Sequence, residues 1–115
     1  MKKVYRIKKN EDIEIILRKK NSYGNKNYVI YIAKNLETNH FRLGMSVGKK
    51  VGNAVVRNKE KRRIKSVIKC FENNISNFDI FIVARPNSLN LTYKEKEESI
   101  LKLLKLSKVW YSEEK

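Results

Sequence analysis

A single cysteine, a single histidine and a single proline leave this 115-residue chain little from which to build disulfides, clustered metal sites or protein-based catalysis. Cys70 has no second cysteine to pair with, which excludes an intramolecular disulfide and a multi-cysteine metal site and fits a reducing compartment. His40 has no HxxE or HExxH companion, so the helical zinc-hydrolase pattern is missing. Acids are scarce too, 12 Asp and Glu against 27 Lys and Arg. A nuclease acting through its own side chains needs clustered carboxylates for metal ions, or a histidine pair for proton transfer. Glu11, Asp12 and Glu14 at a helix start, and Glu95, Glu97 and Glu98 in the KEKEES run, instead read as dipole-compensating acids and a solvated helix face with i, i+4 partners. No catalytic residue and no metal ligand is expected. No apolar run approaches the roughly 18 residues that would span a bilayer. MKKVYRIKKNED at the N-terminus lacks the apolar core of a secretory signal, so a cytoplasmic chain without membrane association is expected.

What is abundant is positive charge. A formal net charge of +15 and a pI near 10.0 demand a polyanionic partner, and 41% hydrophobic content suffices for one modest core. The expectation is one domain spanning residues 1–115 with no linker.

The pattern along the chain alternates helices and strands. Asn10, Glu11 and Asp12 mark a helix start, with Ile13, Ile16 and Leu17 on one face before RKKNSYGNKN breaks it. YVIYIAK, residues 28–34, is a β-branched and aromatic strand with Val29 and Tyr31 on one face and Ile30 and Ile32 on the other. After the turn NLETN, HFRLGMSVG places Phe41, Leu43, Met45 and Val47 on one face. Its other face, Arg42, Gly44 and Ser46, is small and polar, either a plain solvent face or the floor of a groove. Ile64, Val67, Ile68 and Phe71 then form the stripe of a long helix docked on a sheet. FDIFIVAR, residues 78–85, reads as an interior strand closed by Pro86. Thr92 and Glu95 form a capping box ahead of Ile100, Leu101, Leu103 and Leu104. The order helix, strand, strand, long helix, strand, helix predicts an α+β fold, a small and mainly antiparallel sheet packed with helices.

The charge concentrates in KKVGNAVVRNKEKRRIK, residues 49–65. Traced back toward its start, the apolar stripe of the long helix meets Glu60, Arg57 and Asn53 instead of further apolar residues. The expectation is that the first two turns overhang the sheet edge, so that Arg57 and Asn58 project beside it. Lys59, Arg62, Arg63, Lys65 and Lys69 cover the outer face, and Cys70 reads as a small packing group. Arg57 offers a planar fork of donors and Asn58 an amide that both donates and accepts, which suits a defined site. Tyr31 either stacks on an unpaired base or packs against the first helix.

SVGKKVGNAVVRNKEKRRIK, with RIKKNED near the start and IVARP at the last strand end, resembles the protein subunit of bacterial ribonuclease P, whose signature is an RNR-type motif on a helix reached through a KK-hydrophobic-GNAV sequence. The likeness extends over nearly the whole chain. It implies a left-handed β-α-β crossover around the motif helix, against the usual hand. It implies that a partner RNA is the catalyst, with Mg2+ held mainly by RNA and substrate and none tightly bound by the protein. The implied partners are that catalytic RNA and precursor transfer RNA, with no obligate protein partner. The implied task is to assist removal of the 5′ leader. Carried over by position, the RNA-binding set is Lys49, Lys50, Asn53, Arg57, Asn58, Lys59, Lys61, Arg62 and Lys65. The implied leader cleft, between the first helix and the sheet, is lined by Ile13, Leu17, Val29, Tyr31, Arg42 and Ser46. Two departures stand out. Lys59 replaces the second arginine of the motif, keeping charge but not bidentate geometry. Ile13 and Leu17 stand where the family often has aromatics, which leaves Tyr31 as the main stacking platform. Two other readings remain open at this point: a different basic RNA-binding module, and a free-standing nuclease.

Overall fold

The computed structural model describes residues 6–7, 10–35 and 38–110. In chain order the elements are α1 (Asn10–Arg18), β1 (Ser22–Gly24), β2 (Tyr28–Lys34), β3 (Arg42–Val47), α2 (Ala54–Cys70), β4 (Phe78–Ala84) and α3 (Tyr93–Leu106). The expected order holds, with β1 added inside the segment read only as a helix break. Three residues are too few to alternate, so β1 carries no periodic signal. It is positioned by the turn that follows, where Asn25 Oδ1 accepts from the backbone N–H of Asn27 at 2.9 Å and of Tyr28 at 2.8 Å, turning the chain into β2. Of the turn expected at NLETN, Leu36 and Glu37 lie outside the described residues.

The sheet runs β1-β2-β4-β3, with β2 antiparallel to both neighbours and β3 parallel to β4. Because α2 joins β3 to β4, the two parallel strands are linked by a β-α-β crossover. Register assigns the faces. Tyr28, Ile30 and Ile32 on β2 share one face with Leu43 and Val47 on β3 and with Ile80 and Ile82 on β4. Ile64, Val67 and Ile68 of α2 and Ile100, Leu103 and Leu104 of α3 close over that face. The opposite face, Val29, Tyr31, Ala33, Arg42, Gly44, Ser46, Asp79, Phe81 and Val83, is met by α1. Its buried cluster is small: Ile7, Ile16, Ala33 and Phe81.

Both long helices start on side-chain caps. Asn53 Oδ1 accepts from the Val56 N–H at 3.0 Å, and Thr92 and Glu95 complete the expected capping box. Gly52 is required by contact rather than by conformation, since a Cβ there would stand 2.8 Å from Val56 Cγ1.

The second turn of α2 does not overhang. Glu60 is 1% exposed, and its carboxylate accepts from the Tyr28 hydroxyl at 2.9 Å and from Lys96 Nζ of α3 at 2.9 Å, with a second ion-pair contact between Lys96 and Glu60. The interior stripe of α2 therefore continues past Ile64 as a polar anchor instead of stopping. A buried carboxylate is tolerated here because a cation and a hydroxyl meet it. Desolvation, and then the Glu60 charge, push the Tyr28 phenol far above its ordinary value. Lys96 is buried, so KEKEES is not a purely solvated face. Cys70, expected to pack, is exposed at the last turn of α2.

Candidate nucleic-acid interface

Helical geometry and the Glu60 anchor divide the cations of α2 into three rows. With Glu60, Ile64, Val67 and Ile68 facing the core, Arg57, Lys61 and Lys65 fall on the flank beside β3. Asn58, Arg62 and Lys69 point outward and are exposed, while Lys59 and Arg63 fall on the opposite flank, toward α3. The sequence-expected RNA set is thus not one surface, since Lys59 stands apart from Arg57, Lys61 and Lys65.

The turn before α2 sets the remaining members. Val51 is buried and its N–H donates to the Gly48 carbonyl at 3.0 Å, leaving Lys49 and Lys50 exposed in the bend. Asn53 spends its side-chain oxygen on the helix cap, so its first task is to start α2.

Arg57 is half-buried, and its Nε lies beneath the surface with no hydrogen-bond partner among the described residues. A buried guanidinium N–H without an acceptor is costly. Further along the same flank, Lys61 and Lys65 border a hollow of about 210 Å³ with Arg6, Ile7, Leu43, Gly44 and Met45. Burial, then the neighbouring Arg6 and Lys61 charges, hold the Lys65 ammonium below its ordinary value. Arg6 was not singled out in the sequence. It arrives because residues 6–7 bridge to the edge strand, with the Ile7 N–H donating to the Leu43 carbonyl at 3.0 Å.

This hollow wraps the β3 edge and joins the cationic flank to the α1-facing side of the sheet through Gly44. On that side Val29, Tyr31 and Val83 are half-buried and Ser46 is exposed, so an apolar floor with a small polar margin remains open. Gly44 keeps the floor flat, because a Cβ there would sit 2.8 Å from the Phe81 ring. Tyr31 pairs across the strands with Phe81, and Val29 with Val83. Phe81 and Val83 escaped the sequence reading, although the odd-numbered positions of FDIFIVA continue the face of Val29 and Tyr31.

Two expected cleft residues behave differently. Arg42 lies on the correct face, but its Nε donates to Asp79 Oδ1 at 2.8 Å and its Nη2 to Asp79 Oδ2 at 2.7 Å, and its Nη1 stands 3.7 Å from Asp12 of α1. Its charge is matched within the fold, and its role is to fasten α1 to the sheet. Asp12 and Ile16, four residues apart, share the side of α1 that faces the sheet. Ile16 is 1% exposed and Ile13 half-buried, whereas Leu17 is 37% exposed on the helix rim. Of the two α1 residues in the expected cleft, Ile13 packs against the buried cluster and Leu17 stands on the exposed rim. His40 is partly exposed, with its Nδ1 2.8 Å from the Phe41 carbonyl oxygen.

Known proteins show the same architecture. The family model described as Ribonuclease P matches residues 1–108. The ribonuclease P protein component of Staphylococcus aureus strain Mu3 is 44% identical over 110 residues, 96% of each chain. A solved structure of the S. aureus RNase P protein superposes with a TM-score of 0.86 at 43% identity, covering 92% of this chain and 97% of that one. The RNase P protein of Thermotoga maritima, solved in complex with 1-(4-fluorophenyl)-2-thiourea, gives a TM-score of 0.79 at 28% identity over 87% of this chain and 97% of that one. With the expected fold, motif helix and family match in agreement, this chain belongs to the ribonuclease P protein family and has a role in ribonuclease P.

Proposed function

We propose that this chain works as one domain, residues 1–115, which binds the catalytic RNA of ribonuclease P and holds the 5′ leader of precursor transfer RNA during leader removal. The observation that carries this reading is the orphaned, buried Arg57 Nε, in line along α2 with Lys61 and Lys65, which meet Arg6 at the β3 edge. Phosphate oxygens would satisfy that donor and relieve the mutual repulsion of the cations. Lys49, Lys50, Arg57, Asn58, Lys59, Lys61, Arg62 and Lys65 supply the RNA contacts, and Asn53 holds them in place by capping α2. The leader lies on the open floor of Val29 and Tyr31, with Ile13 and Leu17 on the α1 wall and Ser46 at the margin. Arg42 shapes that cleft through Asp79 and Asp12 rather than by holding a phosphate.

In this reading the RNA is the catalyst and the protein a positioning subunit of an endoribonuclease, working in the cytoplasm without an obligate protein partner. Mg2+ held by RNA and substrate would supply the activation of water and the stabilisation of the leaving oxygen. Among the described residues no three His, Cys, Asp or Glu side chains stand together as a metal site. Among those residues, too, no helix is long and apolar enough to cross a membrane.

The test combines purified protein with precursor transfer RNA at low Mg2+, with and without the cognate catalytic RNA. Cleavage at the leader junction only when both are present is the expected result; cleavage by the protein alone would make it a free-standing nuclease. Salt dependence gives a second measure. With about six cations on phosphates, log K should fall against log salt with a slope of roughly 4 to 5, and a slope near zero would exclude this mode.

A further inference from the structure

The second basic flank of α2, away from the leader cleft, borders a groove of its own. Between α2 and the start of α3 lies a hollow of about 320 Å³ whose walls include Val56, Leu91, Tyr93, Lys59, Arg63 and Lys96. A second hollow of about 300 Å³ continues from it along α2, sharing Lys59, Arg63 and Tyr93 and adding Arg62 and Ser66. Volumes of this order are at the small end of the range of about 300–1,000 Å³ typical of ligand sites. Lys96 is already matched by Glu60 beneath the floor, so Lys59 and Arg63 set the sign at the rim. The rest of the lining is Glu60, whose carboxylate accepts from Lys96, the helix-capping Thr92, and the apolar or aromatic Val56, Leu89, Leu91 and Tyr93. Tyr93 sits where the hollows join, its hydroxyl 2.8 Å from Ser66 Oγ, which ties the ring to α2. Leu89, 42% exposed, extends the apolar wall.

An anion alone would need the cations and not the apolar wall, and an apolar peptide would need the wall and not the cations. A nucleotide needs both, a cationic rim for its phosphate and an aromatic or aliphatic surface for its base. We propose that the groove between α2 and the start of α3 binds one unpaired nucleotide of the partner RNA, its phosphate on Lys59 and Arg63 and its base on Tyr93 and Leu91. This rests on the reading that the partner is RNA. It gives Arg63 a specific contact, whereas the sequence showed it only as outer-face charge. It also separates Lys59 from the Arg57 flank, so that α2 is gripped from both sides.

The probe is a mononucleotide, 5′-AMP, titrated into the full chain and followed by NMR at Leu89, Leu91 and Tyr93. Expected is saturable binding at those residues, at concentrations at least ten-fold below those at which inorganic phosphate shifts the same signals. Arg63→Gln and Tyr93→Leu, each with the wild-type spectrum elsewhere, should each weaken 5′-AMP about ten-fold; in Tyr93→Leu phosphate binding should persist. Equal response to 5′-AMP and phosphate would overturn the proposal in favour of a plain anion site. Tighter binding of an acidic peptide than of 5′-AMP would overturn it in favour of a protein partner. In the assembled enzyme, the same variants should weaken affinity for the catalytic RNA about ten-fold while keeping the preference for leader-bearing over leaderless transfer RNA; unchanged RNA affinity would overturn it. Failure of the wild-type chain to support RNA-dependent cleavage would instead remove the functional reading, and the 5′-AMP result would stand or fall separately.

Discussion

On the α2 and α3 side of the sheet, Ile64, Val67, Ile68, Ile100 and Leu104 close over Tyr28, Ile30 and Ile82, none more than 1% exposed. On the α1 side Val29, Tyr31 and Val83 keep part of their surface in solvent, and burial centres on Ile16 and Phe81. Helix length accounts for much of the contrast. A nine-residue helix is roughly 14 Å long. The sheet it covers is roughly 19 Å across four strands, with seven-residue strands roughly 23 Å long. One face thus holds most of the buried core, and the other keeps part of its apolar surface in solvent.

The heaviest blow to this division falls on the closed face. Glu60→Ala leaves Lys96 charged and unpaired in the interior, with Tyr28 lacking its acceptor. The expected loss is about 3–5 kcal/mol in urea unfolding. Replacing the ion pair by Glu60→Leu with Lys96→Met should restore much of it, because the desolvation cost of both charges disappears together. A single variant as stable as wild type would mean that the closed face does not depend on its polar anchor.

Tyr28 gives a smaller effect with a pH signature. Tyr28→Phe removes a hydrogen bond to a charged group, for an expected loss of about 1.5–3 kcal/mol at neutral pH. The fold raises the phenol's pKa, first by burial and then by the Glu60 charge, so it favours the protonated form. That contribution is fully present below the unfolded value of about 10 and is lost as pH rises beyond it. Wild-type stability should therefore fall above pH 10, and the Phe variant should show a flatter fall over the same range.

How much of this was legible in the sequence depends on how far apart the partners lie. Strand β2 was read as residues 28–34 and is Tyr28–Lys34, because its apolar character is continuous and local. The Thr92 and Glu95 capping box needs only three residues of separation and was equally plain. Glu60 and Lys96 are 36 positions apart, Tyr28 and Glu60 32, and Arg42 and Asp79 37. No local pattern announces such pairs, so Glu60 looked like the end of a stripe and Arg42 like one member of a small polar strand face. The contact between Asp12 and Arg42 was hidden for the same reason. On the open face, Val29, Tyr31 and Ser46 were legible by alternation, whereas Arg6 depended on a strand-edge bridge.

Gly44 tests whether flatness keeps the open face open. Gly44→Ala would set a Cβ 2.8 Å from the Phe81 ring, and the overpacking should lower stability by about 1–3 kcal/mol in thermal unfolding. Phe81→Leu in the same chain makes room, and partial recovery in the double variant would show that the two side chains are coupled. Leader-bearing substrate should bind less well to Gly44→Ala than leaderless transfer RNA does, relative to wild type.

The finest distinction lies within the cleft itself, between its floor and its lip. Tyr31 is half-buried on the sheet beside Phe81, held where a base could stack, while Leu17 is 37% exposed and lies outside the buried cluster that Ile16 anchors. Tyr31→Ala should weaken leader-bearing substrate by about 1–3 kcal/mol, the range for loss of one stacked base. Leu17→Ala should change unfolding free energy by no more than about 0.5 kcal/mol, as surface substitutions do, and affect leader binding less than Tyr31→Ala. Equal losses of leader binding in the two variants would place the leader along the helix rather than on the sheet. Wild-type binding by Tyr31→Ala would remove the floor from the site altogether and leave Tyr31 as a packing residue.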